Sequence, residues 1–306
     1  MTPTELIPCP PLDGWEKLKS LVLNALTSEH SKRAYSGALN EFQRWCRENA
    51  TSGFSKATVQ EYKAWLETRG LAPSSINVRM SAIRKLALEA GDNGLIEFQV
   101  AGAIGRVKGA KRHGVRTGNW LTLTQAEDML GLPDRGMLKG KRDRALLAVL
   151  IGCGLRREEL AALSVEHVEQ RDARWVIVDL VGKGQRIRTV PMPPWTKIAI
   201  DDWLQASGIL SGRILRAVNK AGSVVGAGLT PQSVFDVVLR YGIQIGIEIA
   251  PHDLRRSFAK LAHKGHAALE QIQLSLGHAS IQTTERYLGV DQDLIDAPCD
   301  HLGLRV

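Results

Sequence analysis

A basic stretch at residues 101–120 divides the chain into two regions with different sequence patterns. It contains no acidic residue, and its cationic residues are Arg106, Lys108, Lys111, Arg112 and Arg116. Before it, apolar residues recur at helical spacing and no candidate strand occurs, whereas one clear β-hairpin follows it. A chain of 306 residues is also long for one domain. We therefore predict two domains joined by a basic linker.

The first region is predicted to be all-helical, with a tail at residues 1–14, a domain at 15–100 and the linker at 101–119. Between His30 and Asn49 the apolar residues of one helical face are Tyr35, Ala38, Leu39, Phe42, Trp45 and Cys46. Further helices are expected at 55–69 and from Ser74 onward, the latter burying Ile76, Met80, Ile83 and Ala87. These faces provide one helical core.

The second domain is predicted to span residues 120–306 and to be mainly helical, with a tail at 288–306. Thr124 and Glu127 have the spacing of a capping box at its first helix. Helices are expected at about 124–131, 140–153, 156–163 and 194–206, and from Pro231 to Tyr241. The hairpin pairs 175–180 with 186–190, so the sheet is small and antiparallel.

Composition favours a polyanionic partner and excludes several other classes of protein. Forty Lys and Arg residues against 32 Asp and Glu residues give a net charge of +8. The four cysteines lie far apart and predict neither a zinc module nor a disulfide framework, which fits a reducing cytoplasm. The longest apolar run, 145–155, is about half the length of a membrane span, and the N-terminus does not resemble a signal peptide.

Candidate chemistry begins with Arg156, which follows a helix that breaks at Gly154. Such an arginine could pair with Glu158 or Glu159 on the surface, or its planar guanidinium could bind two phosphate oxygens. Arg157 is the alternative if the register differs by one residue. Lys183 lies between two glycines at the hairpin tip, where it could be a solvated turn residue or a general acid.

The last quarter of the chain supplies His252, Arg255, His278 and Tyr287. His252 and Arg255 are one helical turn apart and can face one site, near a helix start that favours phosphate. His278 alone would more often be a capping or core residue, and Tyr287 alone a core residue. No Cys or acidic cluster accompanies the histidines, so the pattern does not favour zinc.

Taken in order, these motifs resemble those of the tyrosine recombinases, the phage-integrase family. The resemblance rests on Gly154-Leu-Arg156-Arg-Glu-Glu159-Leu160, on Gly182-Lys183-Gly184, on His252-Asp-Leu-Arg255-Arg256, on Leu276-Gly277-His278 and on Thr283-Thr-Glu-Arg-Tyr287. It implies that Arg156, Lys183, His252, Arg255, His278 and Tyr287 are catalytic, and that Glu159 is a buried support. Many members have His where this chain has Arg256.

The family resemblance implies a helical, SAM-like core-binding domain and a catalytic domain on opposite faces of double-stranded DNA. Tyr287 would form a 3′-phosphotyrosine without metal or cofactor, and four protomers would exchange strands through a Holliday junction. A short N-terminal tail favours a simple, Xer-like recombinase, and the C-terminal tail is expected to dock on a neighbouring protomer or on its own domain. Expected DNA contacts are Lys32, Arg33, Asn77, Arg79, Arg84, Arg106, Lys108, Lys111 and Arg112, although each could be solvated surface.

Two other functions remain open at this point. A type IB topoisomerase-like enzyme would use the same chemistry to nick and reseal one duplex, but the helical first domain and the long tail favour recombination. A non-catalytic DNA-binding regulator could keep the fold, but it would be expected to lack catalytic residues, and this sequence retains all of them.

Overall fold

The computed structural model describes residues 12–51, 53–111, 119–182 and 187–288, which form two compact units, Met1–Val115 and Arg116–Val306. Over the residues described, the first unit is helical throughout, as predicted. Its helices are α1 (Leu12–Asn24), α2 (Glu29–Glu48), α3 (Lys56–Thr68), α4 (Pro73–Asp92) and α5 (Phe98–Gly105).

The helices of the first unit begin and pack as their sequences indicate. The Ser28 and Ser55 hydroxyls accept from backbone N–H groups in the first turns of α2 and α3. Phe42 and Trp45 of α2 lie against Tyr62 of α3, with ring centroids 4.9 and 5.2 Å away. The buried face of α2 contains five of the six apolar residues predicted for it, and α4 buries all four of its predicted residues.

The first unit continues beyond residue 100, where we expected the linker to begin. Helix α5 spans that boundary, and Ala101, Ile104 and Val107 are buried in the same core as α2 and α4. Apolar residues at intervals of three face the core, and the glycines between them do not interrupt the helix. The first part of the basic stretch therefore belongs to the helical core of the first unit.

The second unit is mainly helical with a small antiparallel sheet, again as predicted. Its helices are α6 (Leu123–Gly131), α7 (Leu138–Cys153), α8 (Arg157–Ala162), α9 (Pro194–Ser207), α10 (Pro231–Gln244), α11 (Pro251–Lys264), α12 (Leu269–Leu276) and α13 (Ile281–Leu288). Its strands are β1 (Val168–Arg171), β2 (Arg174–Val181), β3 (Ile187–Pro191), β4 (Ala217–Val218) and β5 (Val224–Val225). No described helix is long and apolar enough to cross a membrane.

Three local features of the second unit differ from the sequence predictions. The capping box of α6 uses Thr122 and Gln125 rather than Thr124 and Glu127, because α6 begins at Leu123. Strand β1 adds a third strand to the predicted hairpin, and the short β4–β5 ribbon was not predicted. A bulge in β2, with Asp179 at φ 53°, shifts the pairing so that Leu180 lies opposite Arg188.

The C-terminal helices of the described chain form a small core of their own. Ala259 of α11, Ile272 and Leu276 of α12, and Leu288 of α13 are buried together. This core fixes α13 against the helix that carries His252 and Arg255.

A buried ion pair within α7 is hydrogen-bonded to α10. Asp143 is 1% exposed and accepts from Arg142 Nε at 2.9 Å and from the Tyr241 hydroxyl at 3.1 Å. Arg142 is itself buried. Removing the carboxylate would leave a buried guanidinium without its counter-charge.

We expect Asp143→Ala to lower the free energy of unfolding by about 3–5 kcal/mol, because it leaves the Arg142 charge buried and uncompensated. Urea unfolding measures this directly. Arg171→Ala removes the exposed pair with Glu169 and serves as a control, with a change below about 0.5 kcal/mol. Equal small losses in both variants would contradict a stabilising role for the buried pair.

Candidate active site

Arg156 is positioned by the turn that separates α7 from α8. Helix α7 ends at Gly154, which has φ 60°, and a Cβ there would lie 2.7 Å from Phe258 Cδ1. Two residues later, Arg156 is the N-cap of α8. Its backbone N–H donates to Glu159 Oε2 at 2.8 Å and its Nη1 to Glu159 Oε1 at 2.6 Å.

The neighbouring Arg157 is arranged differently. Its Nε donates to Glu158 Oε1 at 2.8 Å, and both side chains are well exposed. The buried carboxylate thus holds Arg156 and not Arg157, which favours the register chosen from the sequence.

Glu159 accepts hydrogen bonds from two arginines. Besides Arg156, Arg188 of β3 donates from Nη1 to Oε1 at 2.9 Å and from Nη2 to Oε2 at 2.7 Å. Burial alone would raise the pKa of Glu159, but the bonds from Arg188 and from the Arg156 N–H outweigh it and lower the pKa to about 2. The carboxylate is therefore ionised at every pH at which the protein would act.

Arg255 connects the ends of two helices. It is 1% exposed, and its Nη1 donates to the Gly154 carbonyl at 2.6 Å while its Nη2 donates to the Leu276 carbonyl. Helices α7 and α12 end at these positions, each with a left-handed glycine at its C-cap. A guanidinium at two helix C-termini is favoured by both helix dipoles, so Arg255 fixes the turns leading to Arg156 and His278.

The two histidines lie in the same positive field. Burial, followed by the charges of Arg256 and Arg255, lowers the pKa of His252, although Asp253 acts in the opposite direction. Burial, followed by the charges of Arg255 and Arg156, lowers the pKa of His278 to about 4. Both imidazoles are therefore neutral near pH 7, and each can donate one hydrogen bond and accept another.

His278 also positions the helix that carries Tyr287. Its Nδ1 lies 2.9 Å from the hydroxyl of Thr284, which is fully buried on α13. Thr284 is one helical turn before Tyr287, and Leu288 is buried in the small C-terminal core. The helix backbone at Tyr287 is thus held near His278 through Thr284. The Tyr287 side chain lies outside the described part of the structure.

The described structure brings Arg156, Glu159, His252, Arg255 and His278 into one cluster, as the sequence indicated. Lys183 lies outside the described residues, between the ends of β2 and β3, and so do Arg112 and the tail beyond residue 288. In the described ranges, no group of three or more His, Cys, Asp or Glu side chains is arranged to hold a metal ion.

Sequence reasoning missed Arg188 and Thr284. Arg188 precedes the buried Val190 by two residues, so strand alternation places both on one face of β3. This alternation could have indicated that the Arg188 side chain lies on the buried face of β3. Thr284 is part of the Thr-Thr-x-x-Tyr pattern, but the pattern alone does not show which atom its hydroxyl contacts.

Several predicted DNA contacts of the first unit have partners within the protein. Arg79 Nε donates to Glu41 at 2.6 Å, and Lys32 Nζ to Glu29 at 2.7 Å. Asn77 exchanges two hydrogen bonds with the Ala110 backbone, and Arg84 donates to the Val107 carbonyl. Exposed cations on this unit include Arg33, Arg106, Lys108 and Lys111.

Two family profiles match this chain. Residues 119–293 match the profile of the phage integrase family, and residues 18–91 match its N-terminal SAM-like domain. The chain belongs to the phage integrase family of tyrosine recombinases. Its members are enzymes, and the resemblance inferred from the motifs is confirmed.

Relatives cover most of the chain. It is 30% identical to tyrosine recombinase XerC of Chromohalobacter salexigens over 79% of this chain and 78% of that protein. It is 28% identical to tyrosine recombinase XerD of Vibrio cholerae over 86% of each.

Solved structures share the fold of this tyrosine recombinase. XerH bound to difH substrate has a TM-score of 0.67 at 20% identity and covers 91% of this chain and 81% of its own. A lambda integrase dimer bound to a COC′ core site has a TM-score of 0.68 at 16% identity, and the match covers 93% of this chain and 80% of the integrase chain.

The low pKa of His278 predicts a pH dependence of stability. Below about pH 6.5 the histidine of the unfolded chain binds a proton, but the folded one stays neutral down to about pH 4. Wild-type stability should therefore fall between pH 6.5 and 4, and His278→Gln should lose less stability over that range. Urea unfolding at several pH values measures the difference, and identical slopes in the two proteins would contradict it.

Proposed function

We propose that this recombinase cuts and rejoins DNA at specific sites by using Tyr287 as the nucleophile in the cluster around Glu159. The observation that carries the proposal is the convergence of two arginines and two neutral histidines beside the helix on which Tyr287 lies. Glu159 and the two helix-end carbonyls hold the arginines before any substrate binds, so little reorganisation accompanies the reaction.

Arg156 and Arg255 stabilise the charge of the phosphodiester in the transition state. Arg156 retains an accessible guanidinium, 27% exposed, although Glu159 anchors it. Arg255 is buried, so its charge is poorly screened by water and acts strongly at short range. A neutral His278, whose Nδ1 faces Thr284, is placed to donate its other N–H to a phosphate oxygen.

Cleavage then proceeds as a balanced transesterification. The phenol oxygen of Tyr287 attacks phosphorus and its proton passes to the neutral imidazole of His252, which its lowered pKa leaves able to accept one. The bond from phosphorus to the 5′ oxygen breaks, and Lys183 supplies that oxygen with a proton. The products are a 3′-phosphotyrosine and a 5′-hydroxyl. Attack by the 5′-hydroxyl of a partner strand reverses these steps and exchanges the strands.

The two units divide the work of binding and chemistry. Met1–Val115 serves as the core-binding domain and Arg116–Val306 as the catalytic domain, with double-stranded DNA as their common substrate. Arg33, Arg106, Lys108 and Lys111 contact the phosphate backbone, and Arg112 extends this set. Asn77 and Arg84 act indirectly, because they shape the 107–110 segment that carries Lys108.

Strand exchange requires four protomers on two DNA sites, and the tail beyond residue 288 is proposed to link them. Work on DNA in the cytoplasm fits a sequence whose four widely spaced cysteines predict no disulfide framework. The topoisomerase-like alternative is less favoured, because the relatives described above are named as recombinases and align with both units.

Tyr287→Phe should still bind DNA but form no covalent adduct, because it removes the nucleophilic oxygen and changes little else. A suicide substrate nicked near the cleavage site traps the adduct for detection on denaturing gels. Tyr35→Phe, which lies in the first unit, is the matched control and should be trapped as efficiently as wild type. Trapping of the Tyr287 variant would assign the nucleophile elsewhere.

Lys183→Ala should cleave normal DNA slowly but regain activity on a 5′-bridging phosphorothiolate, because a thiolate leaves without a proton. Single-turnover rates on both substrates test this. Arg156→Ala, which removes transition-state charge stabilisation rather than the acid, should be slow on both by about 100-fold or more. Equal rates of Lys183→Ala on the two substrates would exclude Lys183 as the general acid.

A further inference from the structure

Arg188 joins three segments of the catalytic unit through one guanidinium. Its Nη1 and Nη2 bind both oxygens of Glu159, and its Nε donates to the Ser275 carbonyl at 2.9 Å. The side chain is 9% exposed. Strand β3, the start of α8 and the end of α12 are therefore fixed to one another at this residue.

The aliphatic part of the Arg188 side chain also explains why the Leu-Gly-His motif has a glycine at position 277. A Cβ at Gly277 would lie 2.9 Å from Arg188 Cδ, and Gly277 has φ 62°. The turn before His278 is therefore packed directly against Arg188, so movement of this side chain would disturb the position of His278.

The charges around Glu159 add up to a single positive charge. The carboxylate is ionised and lies between Arg156 and Arg188, so the trio sums to +1. Without Arg188 the remaining pair would be neutral, and Arg156 would be the one hydrogen-bond partner left to Glu159 among the described residues. The Arg156 guanidinium, which is proposed to bind the phosphate, would then interact with the whole negative charge of Glu159.

We propose that Arg188 is a positioning residue that shares the charge of Glu159, so that Arg156 remains available to the DNA phosphate. This role rests on the proposed function, because it acts only through Arg156 and the turn before His278. The hydrogen bonds described for Arg188 go to Glu159 and to the Ser275 carbonyl, and we assign it no direct part in the chemistry. Its bidentate hydrogen bonds fix the position of Glu159. Its positive charge determines how strongly Glu159 attracts Arg156.

A charge-balance cycle separates this role from simple packing. Arg188→Met keeps the stem but removes the charge, leaving the trio neutral, and Glu159→Gln added to it restores +1. Arg142→Met is the matched control, because Arg142 is also a buried arginine that donates two hydrogen bonds to a buried carboxylate, Asp143, outside the site. Each protein is measured for adduct formation in single turnover, for DNA affinity and for urea stability.

We expect Arg188→Met to slow adduct formation by about 100-fold, as a misplaced reacting group does, with DNA affinity nearly unchanged. Adding Glu159→Gln should recover at least about tenfold of that loss, since the two residues are coupled. Arg142→Met should lose stability but keep the wild-type rate per folded molecule. A double variant no faster than Arg188→Met, or an Arg188→Met variant as fast as wild type, overturns the proposal.

A second substitution keeps the test valid if Arg188→Met does not fold. Arg188→Lys retains the charge but not the bidentate geometry, so its rate should be reduced less. In that background Glu159→Gln raises the trio to +2 and should slow the reaction, the opposite sign to the methionine background. Acceleration there would overturn the charge-sharing role. Absence of any adduct from wild type and Arg142→Met would instead refute the proposed function.

Discussion

The buried carboxylate of Glu159 is the constraint on which the candidate site depends. Burying a charge is unfavourable unless it is paired and hydrogen-bonded, and Glu159 meets this condition by accepting four described hydrogen bonds, two from Arg156 and two from Arg188. Those same bonds bring the first turn of α8 to strand β3. The residue that stabilises this junction therefore also orients the guanidinium that would face the phosphate.

Helix ends supply the second part of the site. Helices α7 and α12 both stop at left-handed glycines, Gly154 and Gly277, and Arg255 donates to a carbonyl at each end. Burial, together with these positive charges, keeps His252 and His278 neutral by lowering their pKa values, because protonation away from water and beside a guanidinium is unfavourable. Neutral imidazoles can both donate and accept, which suits proton transfer and phosphate binding in one cluster.

Much of this arrangement could be predicted from the sequence, because helical periodicity and motif order are local signals. The buried faces of α2 and α4 followed from apolar spacing alone, and the motifs located Arg156, His252, Arg255 and His278. The bulge at Asp179 could not be predicted, since it depends on how β2 and β3 pair. The contact between Arg188 and Glu159 spans 29 residues, and long-range partners of this kind leave no local pattern.

The most direct test of this account identifies the residue that becomes joined to DNA. Wild-type protein is trapped on a suicide substrate and digested, and the nucleotide-bearing peptide is sequenced by mass spectrometry. The chain has four tyrosines, of which Tyr62 and Tyr241 are buried with raised pKa values. The account predicts the nucleotide on Tyr287, through its 3′ phosphate. A nucleotide on Tyr35, Tyr62, Tyr241 or a serine would contradict it.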